Sequence, residues 1–192
     1  DSFYKRASNH FERFVEEHKT DVELLDQDID NIFAVLDWCM QKAQHSEMLN
    51  ITKNITWFLG IRGMTTERYN YALAGAESAR TIGREEESLW MNAFDIGWVL
   101  INRGLYAEAT SLYNDILSVT EKKGYKRVTA ICYRNLALMM RRQPQEKRSE
   151  TTSKAIIEEA RTLTQKSLDI WIEIGDQRGI AIATSTLGTI AM

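Results

Sequence analysis

Three aspartates at alternate positions have the spacing in this sequence that comes nearest to a metal site. Asp26, Asp28 and Asp30 in the segment DQDID are spaced like the first ligands of a calcium-binding loop. Such a loop needs Gly at its sixth position and Glu at its twelfth, where this sequence has Asn31 and Asp37. On a helix, side chains two residues apart point in directions about 200° apart. We therefore expect a hydrated helix face here and no metal site.

The histidines and cysteines show no spacing typical of a zinc site or a nucleophilic active site. His10, His18 and His45 form no HExxH motif, and Cys39 and Cys132 are far apart in the chain. Each cysteine lies within an apolar helical stripe, which favours buried free thiols in a reducing compartment. There is no GxSxG elbow, so we expect no catalytic residues, no cofactor and no enzyme activity.

A basic cluster is the main candidate for contact with phosphates. The segment RRQPQEKR supplies Arg141, Arg142, Lys147 and Arg148 around Pro144, the one proline of the chain. The cluster holds no aromatic residue for base stacking, and the formal net charge of the chain is −3. We therefore do not expect nucleic acid as a partner. The sequence has no long apolar run and no signal peptide, which favours a cytoplasmic protein without membrane contact.

Apolar residues recur at helical spacing along nearly the whole chain, and no segment alternates with period two. Glycines fall between the apolar stripes, where a left-handed residue can end a helix. Thr20 and Glu23 form a T-x-x-E capping box before the second stripe. The sequence therefore predicts an all-α fold with about nine helices, over residues 2–18, 21–44, 46–61, 65–81, 85–103, 105–122, 126–142, 150–174 and 177–191.

A segment repeats within the chain. WFLGIRG begins at residue 57, and WVLINRG begins at residue 98 with the same Trp and Arg-Gly positions. The pair Ile96-Gly97 returns as Leu136-Ala137 and as Leu187-Gly188. The last interval is longer than the others, and a lengthened turn at RRQPQEKRSETT accounts for the excess. Small residues at Gly97 and Ala109 would let paired helices approach closely.

The repeat resembles the tetratricopeptide repeat (TPR). The turn reads GLYAEA at 104–109, and the next helix carries Ala109, Tyr113, Ile116 and Leu117 at the spacing of that family. The match is clear over 85–124, good over 126–192 and degenerate over 46–83. The resemblance implies a solenoid of antiparallel helix hairpins over residues 46–192.

The first part of the chain has a narrower resemblance. The segment LLDQDIDNIFAVLDWC at 24–39, followed by Trp57, Arg62, Gly63 and Glu67, is similar to the region after the winged-helix domain in bacterial STAND-type signalling ATPases. Residues 1–45 would then be a helical segment that follows such a domain. The ATPase P-loop is not in this sequence. The resemblance implies a sensor or protein-interaction module of a signal-transduction regulator; the alternative is a freestanding peptide-binding scaffold, such as a pheromone-receptor-like array or an assembly adaptor.

In TPR arrays the first helix of each repeat lines a concave groove, and the resemblance places eight residues of this chain there. Trp57 and Trp98 would stack on that surface, or would pack between helices as core aromatics do. The groove would be apolar with basic edges and would suit an acidic or amphipathic peptide. The predicted groove residues are Lys53, Trp57, Phe94, Trp98, Ile101, Arg134, Leu138 and Arg141.

The last helix has an apolar stripe that a further helix would cover in a complete array. The chain starts at Asp1 rather than Met and stops at Met192, so we expect a fragment truncated at its C-terminus, partnered by upstream ATPase and winged-helix domains of the same chain. Exposed stripes of this kind pair with a partner, and we expect self-association through residues 177–192 at high concentration. The stripe consists of Ile180, Ala183, Leu187, Gly188 and Ile190.

Overall fold

The structure is a computed structural model that describes residues 2–142 and 150–190, with residues 150–152 described by their backbone only. All regular structure in these ranges is helical, which confirms the predicted all-α class. The helices are α1 Ser2–Glu17, α2 Val22–Gln27, α3 Ile29–Gln41, α4 His45–Ile61, α5 Thr65–Thr81, α6 Glu85–Met91, a π-helical turn Asn92–Ile96, α7 Gly97–Asn102, α8 Tyr106–Lys123, α9 Lys126–Arg142, α10 Glu150–Glu173 and α11 Gln177–Ile190.

The predicted helix 21–44 is two helices rather than one. The helix is interrupted at Asp28, whose backbone dihedral angles (φ −109°, ψ 9°) lie outside the helical region. The next helix, α3, starts at Ile29. The predicted capping box is also wrong by one residue. The cap is Asp21, whose Oδ1 accepts a hydrogen bond from the Leu24 amide at 3.1 Å, rather than Thr20. An aspartate side chain at this position satisfies an amide that has no partner within the helix.

The predicted helix 85–103 contains a π-helical turn at Asn92–Ile96, between α6 and α7. A π turn inserts one residue into the helical repeat and therefore rotates the side chains within it. The sequence periodicity does not reveal such an insertion, because the apolar residues before and after the π turn keep helical spacing. The turn places Ala93, Asp95 and Ile96 in the interior.

The chain divides into two compact units, Asp1–Val99 and Leu100–Met192. In the first unit α1 and α3 pack against α4, and α5 packs against α4, α6 and the π turn. One hydrophobic core joins α1, α3 and α4, and the predicted boundary at 45/46 does not coincide with a break in it. Its members include Phe11, Val15, Ile32, Leu36, Ile51, Ile55 and Phe58.

The second unit is a series of packed neighbouring helices, with α8 on α9, α9 on α10 and α10 on α11. Buried polar groups in it are paired within the protein. Asn135 Nδ2 donates to the Tyr113 hydroxyl at 2.9 Å, and Ser167 Oγ donates to the backbone oxygen of Ala130 at 2.7 Å. Such satisfied groups fix the helices in register, because an unpaired buried group would destabilise the fold.

One backbone hydrogen bond recurs in turns that are separated by the same number of residues as Trp57 and Trp98. The Met64 amide bonds the Leu59 oxygen at 2.9 Å, and one such interval later the Leu105 amide bonds the Leu100 oxygen at 3.0 Å. Likewise, the Arg84 amide donates to the Ala79 oxygen, and the Tyr125 amide donates to the Thr120 oxygen one interval later. The same backbone hydrogen bond thus closes the helix-ending turns in both members of each pair. As predicted, the helix-ending glycines have positive φ, between 70° and 76°: Gly63, Gly83, Gly104, Gly124 and Gly175.

The stripe on the last helix is covered in part. Ala183 and Ile190 are buried, and Ile190 joins a small core with Ala137 and Ala160. Gly188 is exposed, whereas the corresponding Ala137 is fully buried. The apolar surface left for a partner is therefore smaller than the sequence alone suggests. Within the described residues, no helix is both long enough and apolar enough to cross a membrane.

Candidate functional site

Lys53 and Trp57 lie on the exposed face of α4. They are one helical turn apart, so the ammonium group and the indole ring share one patch of surface. Trp57 is 37% exposed, which is high for the largest apolar side chain. These two predicted groove residues are accessible to a ligand.

Phe94 and Trp98 are half-buried and surround one cation, the guanidinium group of Arg68. The Arg68 Cζ atom lies 4.3 Å from the Trp98 ring centroid and 5.8 Å from that of Phe94. Trp57 makes no ring contact within the described residues. The expected stacking of Trp57 on Trp98 is therefore not observed: Trp57 is an exposed aromatic residue, and Trp98 is half-buried against Arg68.

Arg68 is held by a carboxylate that the π turn brings into the interior. Asp95 Oδ1 accepts hydrogen bonds from Arg68 Nη2 at 2.8 Å and from Nε at 3.1 Å. The two side chains are only 6% and 2% exposed. Burial raises the pKa of the Asp95 carboxyl, while the Arg68 charge and hydrogen bonds from Arg68 and Thr56 oppose that shift. A buried pair with these bonds is a rigid support for the Trp98 ring.

The Arg68–Asp95 pair was not predicted from the sequence, although a signal was present. Arg68 shares one face of its helix with Tyr71, Ala72 and Gly75, all of which are buried. A charged residue within an apolar stripe indicates a buried partner, since an unpaired charge is rarely buried. The partner Asp95 could not be identified in the same way, because the π turn changes which residues face inward.

The predicted groove residues of the second unit are less accessible than expected. Ile101 is buried and Leu138 is half-buried, whereas Arg141 is exposed. Arg134 Nε donates to Thr186 Oγ1 at 3.2 Å, and burial lowers the pKa of its guanidinium. A change of Arg134 would therefore affect the stability of the fold.

The other candidates from the sequence lie in ordinary surroundings. Asp26 accepts a hydrogen bond from Arg62 Nε at 2.9 Å, and Asp28 accepts one from Asn31 at 3.0 Å, so the carboxylates are directed to different partners. Arg141 and Arg142 are exposed and lie at the C-terminal end of α9. The remainder of the basic cluster, Lys147 and Arg148, lies outside the described residues.

Both cysteines are buried free thiols, as predicted. Burial raises the pKa of Cys132 from 9.0 to about 12. Burial also raises the pKa of Cys39 to about 12, with a smaller contribution from the Glu47 carboxylate. Because the thiolate is the reactive form, both buried thiols are poor nucleophiles.

A cleft of about 550 Å³ lies between α3 and α5 in the first unit. Tyr71 is the buried member of its lining, and its hydroxyl donates to Asp37 Oδ1 at 3.1 Å. Burial and the nearby Asp37 carboxylate raise the Tyr71 pKa. We refer to this feature as the α3–α5 cleft; its lining includes Asp37, Met40, Glu67, Asn70, Tyr71 and Leu73.

The amino-acid sequence matches no model of a known protein family, and a search of curated proteins gives no significant match.

Proposed function

We propose that this chain is a non-catalytic helical-repeat module that binds a protein or peptide. In this proposal it is the sensor or interaction part of a bacterial STAND-type signalling ATPase and acts in the cytoplasm. Binding of the partner would shift the upstream ATPase part between two conformational states, since a ligand favours whichever state binds it more tightly.

The observation that carries this proposal is the regular recurrence of the turn hydrogen bonds. The bonds Met64 to Leu59 and Leu105 to Leu100 have the same pattern, and the helix-ending glycines Gly63 and Gly104 follow the same interval. Repeated helix pairs present equivalent positions at regular intervals, which suits an extended ligand better than a small substrate. The resemblance of GLYAEA at 104–109 to the TPR turn supports the same proposal.

The α4 face supplies the chemistry for binding. Trp57 offers a large, exposed aromatic surface with few rotatable bonds, and Lys53 adds a positive charge one turn away. A peptide with a carboxylate next to an apolar side chain would contact both. Trp98 lies at the position equivalent to Trp57, and its packing on Arg68 keeps the neighbouring part of the surface rigid.

Fluorine NMR on the fluorotryptophan-labelled chain tests the proposal directly. The five tryptophans give separate signals that single Trp→Phe changes can assign. Titration with a panel of acidic amphipathic peptides should shift the Trp57 signal in a saturable way, while the signal of the buried Trp171 stays unchanged. Peptide binding at this face is refuted if no member of the panel shifts Trp57.

A charge reversal with a matched control sharpens the test. Lys53→Glu should weaken binding of an acidic peptide about tenfold or more, because attraction becomes repulsion. Lys19→Glu makes the same charge change at an exposed position outside α4 and should have little effect. The STAND assignment has its own test in the coding sequence upstream of Asp1. A winged helix preceded by a P-loop would support it, and any other sequence there would favour the freestanding scaffold.

A further inference from the structure

We propose that the α3–α5 cleft is a second docking surface, separate from the α4 face, that takes a basic amphipathic segment of a partner protein. The segment would place large apolar side chains in the cleft and a lysine or arginine at its acidic rim. This inference does not depend on the proposed function, because it involves different residues and a ligand of opposite charge.

Two large apolar side chains stand exposed on opposite walls of the cleft. Met40 of α3 is 49% exposed and Leu73 of α5 is 42% exposed. An unbranched methionine adapts its shape to the side chain that it meets, which is why methionines are frequent on peptide-binding surfaces. Burial of both side chains by one apolar segment would remove them from water together.

Two carboxylates give the cleft its charge. Asp37 lies one turn from Met40 on α3, and Glu67 lies on α5. Neither carboxylate has a lysine or arginine partner among the described residues, and no basic residue lines the cleft. An anionic cleft without an internal counter-ion attracts a cationic ligand and repels an acidic one.

The floor of the cleft is rigid. The Tyr71 ring stacks on Phe33 with ring centroids 5.2 Å apart, and its hydroxyl bonds Asp37. The same hydrogen bond orients the Asp37 carboxylate at the rim before any ligand arrives. A surface that is already ordered loses less conformational entropy on binding, and this favours affinity.

The combination of apolar walls and an acidic rim distinguishes a peptide from a small polyamine. A polyamine would satisfy Asp37 and Glu67 but would leave Met40 and Leu73 in water. A helical peptide with leucines on one face and lysines beside them satisfies both kinds of group. The observations therefore favour the amphipathic peptide.

The test uses a fluorescein-labelled helical peptide of leucine and lysine, with a leucine–glutamate peptide of equal length as the control ligand. Fluorescence anisotropy should show saturable binding of the lysine peptide alone. Asp37→Asn combined with Glu67→Gln should weaken this binding about tenfold. Asp30→Asn combined with Glu86→Gln changes the net charge equally at exposed carboxylates outside the cleft and should alter binding less than about twofold.

A second pair of variants tests the apolar walls. Met40→Asn combined with Leu73→Asn should also weaken binding about tenfold, whereas Ile61→Asn, at another exposed apolar side chain, should not. In NMR spectra of the chain labelled at its methionine methyl groups, the Met40 signal should shift as the lysine peptide is added. Circular dichroism confirms that each variant remains helical.

Unweakened binding by either double variant of the cleft would overturn the proposal, and so would four other results. The first is a lysine peptide that does not bind saturably, and the second is a Met40 signal that stays in place during the titration. The third is equal weakening by the two charge variants, which would show attraction to the net charge of the chain. The fourth is displacement of the peptide by spermine with the same Met40 shift, which would identify a small-cation site. The proposed function of the α4 face would stand in each case, because its test follows Trp57 with acidic peptides.

Discussion

Arg68 and Asp95 form a salt bridge in the interior of the first unit, with Arg68 Nη2 2.8 Å from Asp95 Oδ1. The pair joins α5 to the π-helical turn, and it also places the guanidinium group against the Trp98 ring. One ion pair thus determines both the packing of two elements and the orientation of an aromatic residue. Its members lie 27 residues apart in the chain.

Removal of one partner of this pair should be strongly destabilising. Asp95→Asn leaves the Arg68 charge buried without a counter-ion, and we expect a loss of roughly 3–5 kcal/mol in the free energy of unfolding. Chemical denaturation followed by circular dichroism measures this loss. An exposed pair provides the control: Glu158→Ala, which removes the partner of Arg161, should cost less than about 1 kcal/mol.

A double variant separates the effect of the two charges from the effect of side-chain volume. Arg68→Met with Asp95→Leu removes both charges and keeps apolar volume, so it should be more stable than Asp95→Asn alone. A double variant no more stable than the single one would mean that the pair contributes chiefly through its packing on Trp98 and Phe94.

The helices were predictable because their causes are local. The periodicity of apolar residues and the five turn glycines depend on neighbours in sequence, so the sequence predicts nearly all helix ends to within two residues. The break at Asp28 was missed because Val22, Leu25, Ile29 and Ile32 keep helical spacing across it.

The surfaces were less predictable because they depend on pairs that are distant in sequence. Lys53 and Trp57 lie on the exposed face of α4, whereas the position of Trp98 depends on Arg68 and on the π turn. The α3–α5 cleft depends on how two helices are placed relative to each other, which no spacing within either helix indicates. The sequence therefore predicted the elements better than the contacts between them.

Two glycines of α11 should respond in opposite directions to the same substitution. A Cβ atom at Gly179 would lie 2.2 Å from Cδ2 of the buried Trp171 ring, whereas a Cβ atom at Gly188 would meet nothing within 4 Å. Gly179→Ala should cost about 1–3 kcal/mol through overpacking. Gly188→Ala should stabilise the chain by about 0.5–1 kcal/mol, because alanine favours the helix. Thermal denaturation of the two variants would disprove this packing if their melting temperatures were equal.

The buried thiols should make the fold less stable in alkaline solution. Burial raises the pKa of Cys39 and Cys132 from 9.0 to about 12. Between these pH values the unfolded chain loses thiol protons that the folded chain keeps, so the free energy of unfolding falls as pH rises. This contribution is fully present below pH 9, and the decline should be shallower in a Cys39→Ala, Cys132→Ala variant.

Reaction with a thiol reagent checks the same property at neutral pH. Neither cysteine should react in the folded chain, and both should react in denaturant. Rapid modification of the native protein would show that at least one thiol is accessible or ionised.

Ala43 stands where five other helix-ending turns have glycine. Ala43, Gly63 and Gly83 are equally spaced in the sequence. The φ of Ala43 is 51°. The residue after Ala43 makes the hydrogen bond that is typical of these turns: the Gln44 amide donates to the Cys39 oxygen at 2.9 Å, just as the Met64 amide donates to the Leu59 oxygen.

The left-handed conformation costs a residue with a Cβ atom roughly 1–2 kcal/mol, and glycine does not bear this cost. Ala43 is exposed, so loss of its methyl group removes little packing. After allowance for the greater flexibility of glycine in the unfolded chain, Ala43→Gly should stabilise the fold by about 0.5–1 kcal/mol. Ala34→Gly, at an exposed position within α3, should destabilise it by a similar amount. Chemical denaturation of both variants measures the difference, and a destabilised Ala43→Gly chain would show that this turn is not equivalent to the turn at Gly63.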